Sequence, residues 1–354
     1  MHLLKRKQLL HKPSIYCRFF SSPSRGRCLL AQNGGYTGYT HELQNQWGDQ
    51  FSFMTIVGPK LGSRAATVED DGCGRSTWET ETASFRHVIA LINKMRPPFV
   101  VICGDFVDAT PDNPEFDDQL DAFHDLLNEI SPDTNLVFVP GGSGQRSAIP
   151  QSIYTAHFGS DQYSFWHGGV KFIVMNSALF MTGNEQSDAA ARQRDWLARE
   201  LDNGKICARE TVLFAAHSFY SLQQGPELPL HLQKRATNQP LAETISEETR
   251  KEIRDIINKN APRLIFTTEG TTDRVCVVHT TRLSSADDDE GAIKKTEMVI
   301  CSPVSTGSSA VVGKVVQSGI TIERVKVGSQ ELSGTTPEKS DQILSADTVD
   351  ISVS

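Results

Sequence analysis

The sequence lacks most of the patterns that mark specialised protein classes. Its seven cysteines are dispersed and include no Cys-x-x-Cys pair, which excludes a disulfide scaffold and the common spacings of a structural zinc site. No apolar run approaches the roughly 20 residues of a membrane helix, so we predict no membrane insertion. No Gly-Lys-Ser/Thr follows the glycine-rich stretches at 58–62 and 141–144, which excludes a P-loop.

The N-terminal region lacks acidic residues, since none precedes Glu42. This composition is typical of a mitochondrial transit peptide, and Cys-Arg-Phe-Phe-Ser-Ser at 17–22 resembles a matrix-processing site. The alternative is a basic arm that is retained and binds nucleic-acid phosphates. We therefore predict a transit peptide or basic arm over residues 1–30 and a location in the mitochondrial matrix. The basic residues of the region are Lys5, Arg6, Lys7, Lys12, Arg18, Arg25 and Arg27.

The remainder of the chain is acidic. Residues 1–41 hold seven basic and no acidic side chains, whereas the whole chain has a formal net charge of −8, so residues 42–354 carry a net charge of −15. Such a surface disfavours nucleic acid as a partner over most of its area.

One stretch has the character of a central strand. The residues from Phe99 to Cys103 are all apolar, do not alternate with polar residues, and lead into Gly104-Asp105. Such a run predicts a strand buried on both faces of a parallel sheet. Ligands bind at the carboxyl ends of such strands, which makes Asp105 a candidate site residue. The alternative is that Asp105 only caps the loop.

Strands and helices alternate along the chain and then give way to hairpins. This pattern predicts an α/β fold, a two-sheet β-sandwich flanked by helices. We predict a linker over 31–50, one domain over 51–327 and a flexible tail over 328–354. The predicted strands are 51–57, 99–103, 135–139, 163–170, 171–176, 211–215, 263–266, 275–280, 297–301 and 319–327. The predicted helices are 82–95, 116–130, 189–201 and one that opens with a capping box at 244–247.

Three stretches and five loops carry a family resemblance. The stretches are CGDFVDA at 103–109, YSFWHGGVKFIVMNS at 163–177 and RDWLARELD at 194–202. The loops lie at strand ends around Gly58, Asp105, Gly141, His217 and Glu269. Over about 51–327 the chain resembles the calcineurin-like metallophosphoesterases. The resemblance implies the sandwich fold and a site in which two metal ions activate a water molecule that attacks a phosphate.

Most positions that carry the family's metal ligands hold other residue types here. Asp105 keeps the bridging aspartate, His217 keeps the fourth-loop histidine, and Glu269 is a possible third donor. A catalytic zinc ion needs about three protein ligands, so the sequence predicts a protein without catalysis and without a bound metal. The remnant positions are Gly58 and Lys60 in the first loop, Asp105 in the second, Gly142 and Ser143 in the third, His217 in the fourth, and Glu269 and Thr271 in the fifth.

Lys60 stands where the family has a metal ligand. Its ammonium group could fill the space of the first metal ion and pair with Asp105, which would otherwise be a partly buried carboxylate without a counter-charge. We therefore predict an ion pair between Lys60 and Asp105.

Three functions follow from these observations. The first is an inactive structural accessory subunit of a mitochondrial assembly, with the mitochondrial ribosome as the leading candidate and with protein subunits, and possibly rRNA, as partners. The second is a phosphoesterase with a single, weakly bound divalent metal held by Asp105, His217 and Glu269. The third is a sensor of phosphate ligands that binds them through Lys60 and Arg146.

Overall fold

The protein is described from a computed structural model. The described residues are 38–63, 78–141, 149–220, 245–268, 274–282, 293–302 and 309–326. The predicted leader at 1–30, the predicted tail at 328–354 and the site positions Gly142, Ser143, Glu269 and Thr271 lie outside these ranges, as does Arg146.

The first sheet has five strands, in the order β11-β10-β1-β2-β3. The strands β1, β2 and β3 run parallel to one another, and β10 pairs with β1 in the antiparallel direction. All five residues of β2 are buried, which confirms the central parallel strand predicted at 99–103. The bounds are Phe51–Val57 for β1, Phe99–Cys103 for β2, Asn135–Val139 for β3, Ser309–Val316 for β10 and Gly319–Lys326 for β11.

The second sheet has six strands, in the order β4-β5-β6-β7-β9-β8. Four of them, β5, β6, β7 and β9, are parallel, and antiparallel strands form both edges. The β4–β5 hairpin turns at Gly168-Gly169, where both residues have a positive φ, as a tight hairpin requires. The bounds are Tyr163–His167 for β4, Val170–Val174 for β5, Glu210–Phe214 for β6, Leu264–Thr267 for β7, Arg274–Arg282 for β8 and Ile293–Ile300 for β9.

Helices cover the outer face of each sheet. The helices α2 and α3 pack on the first sheet, and α5 and α6 pack on the second. The inner faces of the two sheets pack together through an aromatic-rich core that includes Phe53, Phe99, Phe172 and Phe214. The helical bounds are His41–Gln44 for α1, Glu79–Met95 for α2, Phe116–Asn128 for α3, Gln151–Phe158 for α4, Asp188–Cys207 for α5 and Glu247–Asn260 for α6, with a 3₁₀ helix at Ser177–Phe180.

The structure confirms the two-sheet sandwich and corrects several elements. Helix α4 and strand β10 were not predicted. Helix α2 begins three residues before the predicted start, and α5 continues to Cys207. The N-cap of α6 is Ser246, whose Oγ accepts from the amide of Thr249, so the capping box predicted at 244–247 is misplaced by two residues.

Part of the segment predicted as a linker packs against the β4–β5 hairpin. The carbonyl of Tyr39 accepts from the amide of Trp166, and the carbonyl of Gln44 accepts from the amide of Gly169. These bonds add α1 to the edge of the second sheet. Among the described residues, no helix combines the length and the apolar character needed to cross a membrane.

Candidate active site

The parallel strands of both sheets end at a common edge. The hydroxyl of Tyr163 donates to the carbonyl of Phe138 at 2.6 Å. Tyr163 pairs with Val174, the last residue of β5, and Phe138 is the penultimate residue of β3. The carboxyl ends of β3 and β5 therefore lie side by side. The loops after β1, β2, β5 and β6 belong to this edge, where ligands bind in α/β folds.

The loop after β1 is attached along its length to the loop after β2. The amide of Gly58 donates to Cys103, that of Lys60 to Asp105 and that of Leu61 to Phe106, each to the backbone carbonyl. Leu61 also forms a parallel bridge with Val107. These bonds continue the β1–β2 ladder past the strand ends, so the positions of the two loops depend on each other.

Lys60 and two aspartates form a charged cluster in these loops. The Nζ atom of Lys60 lies 3.4 Å from Oδ2 of Asp105 and 3.5 Å from Oδ1 of Asp108. The structure thus confirms the predicted ion pair between Lys60 and Asp105 and adds Asp108, which the sequence analysis did not name. One positive charge faces two negative charges, so the cluster keeps one net negative charge.

One oxygen of Asp105 has no hydrogen-bond partner within the described ranges. Its Oδ1 atom is buried and accepts no hydrogen bond among the described residues, and the side chain is 11% exposed. A buried carboxylate oxygen without a donor is costly. Such an oxygen, at the edge where ligands bind, fits a cation or a proton donor supplied by a ligand.

His217 follows β6 and is held by Ser177, which follows β5. The Oγ atom of Ser177 accepts from the amide of His217 at 3.0 Å and lies 2.8 Å from its Nδ1 atom. Both residues are buried. Because Ser177 engages Nδ1, the imidazole of His217 has a fixed orientation.

A buried polar network positions the loop that carries Ser177. Asn176 donates from Nδ2 to Asp161 at 2.9 Å, and its backbone amide and carbonyl both bond to the side chain of Gln193. Gln151 also donates to Asp161. Sequence reasoning missed these residues. The available signal was that Asn176 and Ser177 end the most specific of the family-like stretches.

Gly58, at a former ligand position, and Gly141, next to one, are tightly packed. A Cβ atom at Gly58 would lie 2.4 Å from the carbonyl oxygen of Asp105, and one at Gly141 would lie 2.1 Å from the carbonyl oxygen of Gly104. Real Cβ atoms do not approach backbone atoms this closely. The backbones of the loops after β1, β2 and β3 are therefore in direct contact, and they leave no space for a side chain at position 58 or 141.

Asp105 and His217 stand at the positions to which the family resemblance assigns metal ligands, and a buried carboxylate oxygen without a donor, such as Oδ1 of Asp105, suits a cation. No group of three or more His, Cys, Asp or Glu side chains that could hold a metal occurs in the described ranges. A single ion would need a further donor, for which Glu269, outside those ranges, is the candidate. The described donors do not fit a pair of ions, because the ammonium group of Lys60 already pairs with Asp105 and Asp108.

The fold and the retained site residues define a metallophosphoesterase-like protein. No protein-family model matches the chain. The serine/threonine-protein phosphatase CPPED1 of Danio rerio is 31% identical over 215 residues, which cover 56% of this chain and 70% of that protein. The Bos taurus protein of the same name is 28% identical over 251 residues, 69% of this chain and 74% of that protein. The chain belongs to the calcineurin-like metallophosphoesterase family, close to calcineurin-like phosphoesterase domain-containing protein 1.

Solved structures agree on the fold. A dimetal phosphatase from Danio rerio superposes with a TM-score of 0.52 at 10% identity and covers 79% of this chain and 100% of its own. The purple acid phosphatase PPD1 from yellow lupin superposes with a TM-score of 0.52 at 12% identity, covering 83% of this chain and 54% of its own.

Two predictions from the sequence are wrong in the light of these relatives. The chain was predicted not to be an enzyme, whereas its relatives are named phosphatases and its structural neighbours are a purple acid phosphatase and a dimetal phosphatase. It was also predicted to have no cofactor, whereas one of its structural neighbours is a dimetal phosphatase. Both predictions came from counting how many of the family's seven metal ligands the sequence retains. That count addresses a two-metal centre and does not exclude catalysis.

Proposed function

We propose that this protein is a phosphoesterase that hydrolyses phosphate monoesters on serine or threonine side chains with one divalent metal ion. The substrate class follows the name shared by its relatives, serine/threonine-protein phosphatase. The observation that carries the proposal is the buried, unpartnered Oδ1 of Asp105 at the carboxyl edge of the sheets.

The residues have separate roles in this proposal. Asp105 and His217 would hold the ion, with Glu269 as the additional donor. Ser177 fixes the orientation of the His217 imidazole through Nδ1. A bound divalent ion would polarise the phosphate and lower the pKa of a water molecule.

The charge of the cluster explains why an ion is needed. Lys60 is engaged by Asp105 and Asp108, and the three side chains sum to one negative charge. A phosphate dianion would be repelled by this cluster unless a divalent cation reversed its sign. The same charge balance disfavours the third function considered from the sequence, a sensor that binds a bare phosphate through Lys60.

The test is phosphate release from a phosphoserine peptide by the purified protein with and without Mn²⁺. We expect turnover that depends on the ion and falls at least about 100-fold in Asp105→Asn and in His217→Asn, because each loses a metal donor. Asp133→Asn, in an exposed loop, is the matched control and should keep wild-type activity. Turnover that is absent from the folded wild-type protein, or unchanged in both site variants, would refute the proposal.

We also propose that the protein acts in the mitochondrial matrix as a member of a larger assembly, with the ribosome as the first candidate. The acid-free basic segment before Glu42 supports this location. The test is the sedimentation of the tagged protein from lysed mitochondria. Comigration with ribosomal subunits that survives a salt wash supports the assignment, and exclusive recovery in the light soluble fractions refutes it.

A further inference from the structure

Lys60 occupies a fixed position beside Asp105. Its backbone is left-handed, with φ 48°, a conformation that residues other than glycine adopt rarely. Its amide donates to the carbonyl of Asp105 at 3.2 Å, and the next residue, Leu61, is fully buried. The backbone of Lys60 therefore holds the base of its side chain at a fixed position relative to Asp105.

The ammonium group of Lys60 makes the contacts that a bound cation would make. It lies between Oδ2 of Asp105 and Oδ1 of Asp108, and the side chain is only 28% exposed. We infer that this ammonium group replaces one of the two metal ions of the family, so that the protein holds a single divalent ion. The single ion rests on the proposed function, whereas the replacement by Lys60 rests on the observed ion pairs.

The packing around Gly58 supports the replacement. The Cβ atom of a metal-binding aspartate at this position would lie 2.4 Å from the backbone oxygen of Asp105. A ligand could return there only if the loop after β1 moved away from the loop after β2, which would break the hydrogen bonds between Lys60 and Asp105 and between Leu61 and Phe106. The observed loop geometry thus has space for Lys60 but not for an aspartate at position 58.

The charges of Lys60, Asp105 and Asp108 also support the replacement of a metal ion by the lysine. A second divalent ion at this position would compete with the ammonium group for the same two carboxylate oxygens and would be repelled by it at short range. With Lys60 in place, one ion changes the cluster from one net negative to one net positive charge. Removing the lysine charge would leave Asp105 and Asp108 open to another cation.

The experiment measures metal stoichiometry, which does not depend on turnover. Wild type, Lys60→Gln and Lys60→Arg are titrated with Mn²⁺ by isothermal calorimetry, and bound metal is counted by mass spectrometry. The matched control is Lys251→Gln, which removes a lysine charge from the exposed surface of α6. Thermal melting of each apo protein confirms that it is folded.

We expect Lys60→Gln to bind one Mn²⁺ more than wild type, or to bind the ion about tenfold more tightly, because one repelling charge is gone. Lys60→Arg and Lys251→Gln should match wild type. Two ions in wild type, or identical titrations for wild type and Lys60→Gln, would overturn the inference. A gain in Lys60→Gln together with a folded, metal-free and inactive wild type would uphold the lysine replacement and refute the proposed function and its single ion.

Discussion

The Nε2 atom of His124 lies 3.1 Å from the Nδ1 atom of His157 and joins α3 to α4. The two rings stack, with centroids 5.4 Å apart, and His124 also stacks on Phe158. Burial, with a smaller contribution from His157, lowers the pKa of His124 to about 4. Burial likewise lowers the pKa of His157, while Asp121 and Asp117 act in the opposite direction.

This pair makes stability depend on pH. An unfolded histidine binds its proton near pH 6.5, whereas folded His124 does so only near 4. The unfolded state therefore binds more protons in this window, and the free energy of unfolding falls as the pH drops from about 6.5 to 4, by about 1.4 kcal/mol per pH unit for each such proton. Urea unfolding across this range should show the loss, and His124→Gln should reduce its slope. An equal slope in the variant would contradict this account.

The buried lysine on β5 is predicted to matter more for stability than exposed lysines. The Nζ atom of Lys171 contacts Oε2 of Glu200 at 2.8 Å and Oδ1 of Asn203 at 2.8 Å, and the side chain is 2% exposed. We expect Lys171→Ala to lower the free energy of unfolding by about 3 kcal/mol, because it leaves both partners unsatisfied. Lys314→Ala is the control.

The control removes an ion pair of similar length at the surface. Lys314 and Glu323 lie 2.6 Å apart but are 43% and 46% exposed, so their loss should cost less than about 1 kcal/mol. Chemical denaturation of both variants at one pH gives the comparison. Equal losses of unfolding free energy in the two variants would contradict the prediction that burial makes the contacts of Lys171 more stabilising.

Ser177 is predicted to act on the metal through His217. Ser177→Ala removes the bond to Nδ1 that orients the imidazole, and loss of such an outer partner costs about 10- to 100-fold in metal affinity. We expect weaker Mn²⁺ binding in calorimetry with a small change in melting temperature. Ser84→Ala, on α2, removes a hydroxyl that bonds only within its own helix and should bind Mn²⁺ as wild type does. Unchanged affinity in Ser177→Ala would exclude the positioning role.

Gly58 is predicted to be sensitive to a single added methyl group. In Gly58→Ala the Cβ atom would meet the backbone oxygen of Asp105 at 2.4 Å, and such overpacking costs about 1–3 kcal/mol. Gly48→Ala is the control, because nothing lies within 4 Å of its added Cβ. Thermal melting should separate the two variants, and a Gly58→Ala protein as stable as wild type would show that the loops can spread.

The sequence predicted those elements whose signal is local. Phe99–Cys103 was found with its bounds because an unbroken apolar run between Pro98 and Gly104 has few other interpretations. Helix α4, from Gln151 to Phe158, buries only Tyr154 and Phe158 and gives a weak periodic signal. Strand β10 is rich in valine and is joined to β11 by a tight turn, so its signal was present in the sequence and the prediction overlooked it.

Only the site residues at positions matched to the family's metal ligands could be predicted from the sequence. The Lys60–Asp105 pair followed from a charge placed at a ligand position. The bonds of Ser177 to His217 and of Gln193 to Asn176 join residues that are far apart in sequence, and only the packing of α5 and the β5 and β6 ends brings them together. Polar contacts of this kind leave no periodic trace in the chain.

The antiparallel pairing of β1 with β10 has a consequence for synthesis. One edge of β1 stays unpaired until residues 309–316 have been synthesised, because β10 is its antiparallel partner on that edge. The first sheet therefore cannot be completed before the strands of the second sheet have been synthesised, because β10 follows them in the chain. A chain cut off before residue 309 would expose a hydrophobic edge suited to aggregation.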